Sequence, residues 1–393
     1  MVEAPARCPV CHSNEMVPVY HSGTKTSLSS LCQILPGAKI VSYCSECGHL
    51  AGTGVVDTDQ FYETDYRILL DDDEEDQVYE IRGDEIISRT DHQMAVLHGK
   101  AGLAANIRVL DYGCAKAAMA RRITRGVPGI DMHLFDVSHM YETFWDKFVA
   151  REKQAVHRTP EAWDGRFDLV TSFFAFEHIP DPKASIAHVA RLLKPGGLFH
   201  MIVPDVTGNA ADFIVIDHVN HFTRSSVARL MTDSGFGEID IDTTSYRGAL
   251  IVTGRKTGTP PSAPVNDAEK AEVLAQAREL AQFWSTAADR IRASEPEENG
   301  SGGSAIYGSG FYGAFIHANL KRPEAVACFL DKSPWQQGKS LFDTPIMAPA
   351  DLPGNVDTVY AGLNPAIAHQ VMNSQPWAGR EGLRVVYLQD SAE

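Results

Sequence analysis

VLDYGCAKAAMAR (109–121) sets the architecture, read with HLFDVS (133–138), FDLVTSFFAFEHIPDP (167–182) and RLLKPGGLFHMIVPD (191–205). Each stretch holds a short apolar run bounded by turn formers or acids, and helix-like spacing separates them. That alternation predicts a parallel sheet covered by helices. Such sheets bind ligands beyond the C-terminal ends of their strands. Val109, Leu110 and Asp111 end a first strand, and Gly113 supplies the turn where the backbone must come close to a ligand. Asp136 ends a second strand, where an acid can accept hydrogen bonds from ribose hydroxyls. FDLVTS reads as a central strand that brings Phe174, Glu177 and His178 to the same edge. KPGG (194–197) reads as a helix stop before another strand.

On either side of these words the chain divides, giving four parts in all. Residues 1–60 are rich in Cys and turn formers, and 61–255 hold a charged connector followed by the α/β words. Residues 256–304 contain a Pro-rich linker, a helix and a Gly/Ser-rich loop, and 305–393 repeat an α/β pattern. In the helix, from Asp267, the residues Val273, Ala277, Leu280, Trp284, Ala287 and Ile291 fall at steps of three and four, which makes one apolar stripe. Asn266 or Asp267 caps its start. The acidic run from Asp71 to Asp76 reads as solvated.

The chain has 393 residues and a formal charge of −16, which argues against a nucleic-acid backbone as partner. No apolar run approaches a membrane span, and the N-terminus lacks a signal-like core, so a cytoplasmic location without membrane contact is expected. The seven Cys residues then suggest metal or free thiols. Cys8-x-x-Cys11 and Cys44-x-x-Cys47-Gly48 are two pairs that each wrap one side of a tetrahedral ion. Four thiolates with no open position predict a structural zinc, with a hairpin insert between the pairs. His12 and His21 are read as non-ligands, and Cys32, Cys114 and Cys328 as ordinary thiols.

The order and spacing of these words resemble a class I S-adenosylmethionine (SAM) methyltransferase, and DIDTTSYRGALIVTGRK (240–256) resembles the antiparallel hairpin that closes its sheet. The resemblance implies SAM as cofactor, with Asp111, Gly113, Ala115, Asp136, Phe174 and Glu177 as its binding set. The family's glycine-rich turn departs here, with Ala115 and Ala117 where glycines are usual. A four-Cys lobe, a SAM core and a small C-terminal Rossmann-like lobe together resemble the sugar C-methyltransferases. Asp331, Pro334, Gln337, Gly338 and Lys339 match that family's C-terminal word. The fold expected is therefore α/β: a class I methyltransferase core, an N-terminal zinc-binding lobe and a small C-terminal Rossmann-like domain. The acceptor implied is a small molecule, a nucleotide-linked sugar or a sugar-like metabolite.

DHVNHFT (217–223) follows the strand that ends at Pro204. His is the natural proton acceptor near neutral pH. His178 and His218 are expected to face the transferred methyl, one of them as general base, with Asp217 orienting a neighbour. His221 has a bland reading, as part of the cap of the next helix. The family's Tyr two residues before its acid–His pair is Val215 here, so carbon, oxygen and nitrogen acceptors all stay open. Tyr62 and Tyr66 are candidate substrate contacts. The turn Gly308-Ser309-Gly310-Phe311-Tyr312-Gly313 follows a strand and opens a helix, which keeps an NAD(P)-binding oxidoreductase as an alternative. A non-catalytic scaffold with a degenerate SAM site is the other.

Overall fold

The computed structural model describes residues 4–55, 61–65, 76–83, 85–258, 266–295 and 303–389. Tyr66, residues 71–75 of the acidic run, and most of the linker and the Gly/Ser-rich loop lie outside these residues. The chain forms two compact units: residues 1–21, 39–213 and 217–277, and residues 22–38, 214–216 and 278–393.

The first unit is built on seven strands: β1 (Arg108–Tyr112), β2 (Asp131–Asp136), β3 (Gln154–Val156), β4 (Phe167–Phe173), β5 (Leu193–Pro204), β6 (Phe236–Asp242) and β7 (Ala249–Lys256). Their order is β3-β2-β1-β4-β5-β7-β6. The first five are parallel, and β7 pairs antiparallel with both β5 and β6. This is the methyltransferase Rossmann-like fold with its closing hairpin in place. The parallel strands are near-continuous buried runs because helices cover both faces.

Of helices α1 (Arg89–Ala101), α2 (Ala118–Gly126), α3 (Pro182–Leu192) and α4 (Arg224–Asp233), α1, α3 and α4 start at side-chain caps, Ser88 accepting from Asp91 N at α1, whereas α2 opens from Ala117 without one. Asp181 accepts from the Ala184 N–H ahead of Pro182, and Thr223 and Ser226 form a reciprocal capping box. Asp76 accepts from the backbone and the hydroxyl of Thr90. KPGG does not precede β5 as a separate stop. Helix α3 ends at Leu192, and KPGG forms the first turn-bearing residues of the strand, with Gly196 at φ 74°.

A second sheet in this unit joins Met16–His21, Ile40–Cys44, Leu50–Gly52 and Asn220–His221. His221 pairs with Leu50 and Asn220 with Ala51. The Cys-bearing lobe and the histidine segment therefore share one sheet, although some 170 residues separate them (Ala51 to Asn220).

The second unit holds β8 (Gly303–Tyr307), β9 (Val326–Leu330), β10 (Ser340–Leu341), β11 (Thr344–Met347), β12 (Val356–Ala361) and β13 (Arg384–Tyr387) in the order β10-β11-β9-β8-β12-β13. A hairpin of Thr26–Leu28 and Ile34–Pro36, the insert between the Cys pairs, clusters with this unit. The long helix α5 spans Asp267–Ser294 and is capped by Asn266, which accepts from Ala268 N. Its stripe is buried at Val273, Ala277, Trp284, Ala287 and Ile291, while Leu280 is half-buried. Helix α6 (Phe311–Asn319) opens from the second glycine turn.

Candidate active site

The four cysteines converge. Cys8 and Cys47 sulfurs lie 3.6 Å apart and Cys11 and Cys44 sulfurs 3.5 Å apart, and all four fall within 4.8 Å of one another. A zinc ion about 2.3 Å from each sulfur sets tetrahedral edges of about 3.8 Å, so the knot has the right size. Gly48 takes φ 72° and donates its N–H to Cys44 O, as the tight turn requires. Thiolates this close oppose one another's ionisation. Contact with Cys11 above all pushes Cys8 and Cys47 up, while Cys44 above all draws Cys11 down. A divalent cation at their centre lets all four ionise.

At the C-terminal end of β1, Asp111 is buried, and its Oδ1 accepts from Thr171 Oγ1 at 3.0 Å. Burial, offset in part by Thr171, raises its carboxyl to about 7. Gly113 has φ 73°, and a Cβ there would meet Ala175 Cβ at 2.7 Å. Ala115 and Ala117 also lie in the left-handed region, at φ 44° and 58°. The turn keeps a glycine-type backbone on alanines, at a cost of roughly 1–2 kcal/mol each. Neighbours hold it: Ala115 N donates to Asp136 Oδ2 at 2.7 Å, and Trp145 Nε1 donates to Ala115 O at 2.6 Å. Asp136 Oδ1 also accepts from Val137 N and Ser138 N. With three backbone donors on about four lone-pair sites, Asp136 ties the ends of β1 and β2 together and keeps about one site for a ligand. Burial raises its pKa and these bonds lower it.

Beyond β4, Phe174 takes φ 54° and carries the Arg89 guanidinium over its ring at 4.1 Å. The short helix Phe176–His178 follows. Glu177 is buried, burial raises its carboxyl to about 7, and its Oε2 has no hydrogen-bond partner among the described residues. His178 and His218 meet edge to face with ring centroids 4.7 Å apart. Glu177, His178 and His218 each bring one ligand atom into a group whose members lie within 4.8 Å of one another. That spacing suits convergence on one acceptor atom or cation.

The environments of the two imidazoles differ. Burial and the neighbouring His218 lower His178 to about 4, which keeps it neutral. Its Nδ1 lies 3.0 Å from Tyr62 Oη, 3.0 Å from Asp217 O and 3.6 Å from an Asp217 carboxylate oxygen. His218 is raised: burial opposes its charge, but a 2.5 Å contact from Nδ1 to Asp212 Oδ1 and the negative charges of Asp212, Asp217 and Glu177 together outweigh that. Asp217 thus stands beside His178, and Asp212 beside His218. His221 is fully buried and shares the same carboxylate, with Nδ1 2.8 Å from Asp212 Oδ2.

The segment carrying these groups is clamped on two sides. Val219 N donates to Glu177 O, and the Asn220 amide donates to Phe176 O and Ile179 O. From the Cys lobe, Gly52 N donates to Val219 O, and the buried Lys39 ammonium donates to His218 O at 2.6 Å. Burial draws Lys39 down to about 7. Sequence reasoning did not single out Asp212 or Lys39. The only available signal was a charged residue inside an otherwise apolar run: ADFIVI for Asp212 and AKIVSY for Lys39.

The second glycine turn packs backbone on backbone. A Cβ on Gly308 would lie 2.4 Å from Gly362 O, and one on Gly313 1.9 Å from Gly308 O. Asp331 Oδ2 accepts from the N–H and hydroxyl of Ser309, and Gln337 Nε2 donates to Asp331 O. Residues of the C-terminal word therefore close the turn that faces them.

Residues 87–239 match a family described as a methyltransferase domain, and the chain carries such a domain there. A ubiquinone biosynthesis O-methyltransferase of Alkalilimnicola ehrlichii is 32% identical over 112 residues, covering 27% of this chain and 44% of that protein. Its counterpart in Nitrosococcus oceani is 30% identical over 129 residues, covering 32% of this chain and 54% of that protein. The chain thus spans about half the length of the curated relatives it matches. A SAM-dependent methyltransferase of Mesorhizobium loti shares 16% identity at a TM-score of 0.34, covering 42% of this chain and 97% of that one. The fold assignment rests on the strand order and the family match. Among the described residues no helix is long and apolar enough to cross a membrane.

Proposed function

We propose that this chain is a SAM-dependent methyltransferase. Its acceptor is a hydroxyl of a small nucleotide-linked sugar or sugar-like metabolite, an imidazole of the His178–His218 pair is the general base, and the four-Cys knot holds structural zinc. One observation carries the reading: the Asp111–Ala117 turn and the imidazole pair both stand beyond the C-terminal ends of adjacent parallel strands, β1, β4 and β5.

Asp111 makes the cofactor fit. A buried carboxyl held toward neutrality is drawn to its charged form by an ammonium group placed beside it. Gly113 and Ala115 let the backbone approach the methionine end, Asp136 offers its remaining lone pair to a ribose hydroxyl, and Phe174 and Glu177 line the edge. Bound SAM supplies an electrophilic methyl on a sulfonium sulfur. The imidazole takes the acceptor's proton as the oxygen–methyl bond forms and the sulfur–methyl bond breaks. Burial excludes water and fixes the pair's geometry. Oxygen as acceptor atom is supported by the O-methyltransferase relatives and by Val215, which offers no phenol. The nucleotide-sugar class is supported by the lobe order and the C-terminal word.

Calorimetric titration of the zinc-loaded protein with SAM and S-adenosylhomocysteine, with NAD⁺ and NADP⁺ as controls, tests this. Saturable binding of the first two, followed by labelled-methyl transfer in a nucleotide-sugar screen, is expected. Binding of NAD⁺ without SAM would refute it.

A further inference from the structure

We propose that Asp212 is a positioning residue of this site: it fixes the His218 ring in one tautomer and one orientation, so that Nε2 takes the acceptor's proton. The inference rests on the methyl-transfer reading and adds a residue to it.

The geometry is that of a forked carboxylate. Asp212 is 2% exposed and sits in a short helix, Ala210–Ile214, after β5. Asp205 starts that turn by accepting from the N–H and hydroxyl of Thr207 and, through its carbonyl, from Gly208 N and Asn209 N. One oxygen of Asp212 meets His218 Nδ1 and the other meets His221 Nδ1. An ionised carboxylate only accepts hydrogen bonds, so both Nδ1 atoms carry protons. The neutral form of His218 is therefore the Nδ1–H tautomer, with its lone pair on Nε2. His221 fixes the second oxygen and prevents the carboxylate from turning away. His221 is itself fully buried and kept neutral, so it anchors without titrating near pH 7.

A carboxylate on the far nitrogen does two things for a base. It holds the ring at one angle, and it stabilises the imidazolium formed when Nε2 gains a proton. The charge balance around His218 fits that task. Asp212 and Asp217 supply negative charge, Glu177 from the turn after β4 has a raised carboxyl, His178 is neutral, and Lys39 lies behind the His218 carbonyl. In the step, the acceptor's O–H proton passes to Nε2, the oxygen forms its bond to methyl, and the sulfur–methyl bond breaks. The imidazolium then returns its proton to solvent. No oxidant or reductant is needed.

The test uses ¹⁵N-histidine spectra of the full-length, zinc-loaded protein, with the His218 signals assigned by their loss in His218→Gln. The wild-type signal should show Nδ1 protonated and Nε2 bare at high pH. In Asp212→Asn the titration midpoint should fall by about one to three pH units, with mixed tautomers and unchanged SAM affinity. A wild-type His218 protonated on Nε2 overturns the inference without any variant. A midpoint and tautomer indifferent to Asp212→Asn overturn it as well. Failure of the wild type to bind SAM would instead remove the methyl-transfer reading, and the two failures are separately visible.

Discussion

Replacing Asp111 by Asn should stabilise the SAM-free protein at neutral and alkaline pH and weaken SAM binding. Asp111 sits one residue before the end of β1 in a dry setting, with Thr171 Oγ1 as its side-chain donor, and Asn keeps an oxygen to receive that bond. Its carboxyl rises from an ordinary 3.8 to about 7, chiefly through burial. Below 3.8 both folded and unfolded chains hold the proton, and the group has no effect on stability. Between 3.8 and about 7 the unfolded chain has lost the proton and the folded one keeps it, so stability falls as pH rises. Above about 7 the penalty is complete. At about 1.36 kcal/mol per pH unit, the gap between 3.8 and about 7 is worth about 4 kcal/mol as an upper bound. At about pH 5 the same reasoning gives about 2 kcal/mol. Either is a large share of a typical total of about 5–15 kcal/mol. The assay is urea unfolding of wild type and Asp111→Asn at about pH 5 and about pH 8, each with and without SAM. The variant should lead by a few kcal/mol at the higher pH and by less at the lower, and SAM should stabilise only the wild type. A variant no more stable than wild type at the higher pH, or a lead independent of pH, would refute the reasoning. A stabilising loss of function is the mark of a group kept for its ligand.

Metal analysis should find about one zinc per chain, lost in Cys44→Ser. Because Leu50 and Ala51 pair with His221 and Asn220, chelation should also disturb the His218 spectrum. A second metal that disappears in His218→Gln would make the imidazoles ligands and sink the base assignment. Asp136→Asn should lower SAM affinity at least about tenfold, since one of three backbone donors then faces an amide N–H. Unchanged affinity would strip Asp136 of its role. Gly313→Ala puts a methyl 1.9 Å from Gly308 O and should destabilise the C-terminal unit by about 3 kcal/mol or more. Near-wild-type unfolding would show that the turn has room for a ligand.

What local chemistry controls was legible along the chain. Apolar runs ending in Asp111 and Asp136 marked strands, Asn266 and the segment from His221 to Thr223 marked helix starts, and the spacing of two Cys pairs marked a four-sulfur knot. The same reading put His178 and His218 near one another, because loops after parallel strands must emerge at one edge. Which acid serves which imidazole was settled only by folding. Asp217 adjoins His218 in sequence but stands beside His178, whereas Asp212, six residues before His218, reaches its Nδ1. Folding likewise decides that Ala115 and Ala117 hold a glycine-type turn, with the bonds that Ala115 makes to Asp136 and Trp145 opposing the left-handed strain at Ala115. It also joins the Cys lobe to the histidine segment in one sheet. Strands, caps and knots follow from neighbours along the chain. Proton ownership and backbone strain depend on groups that only folding brings within a few ångströms, and no spacing rule carries that distance.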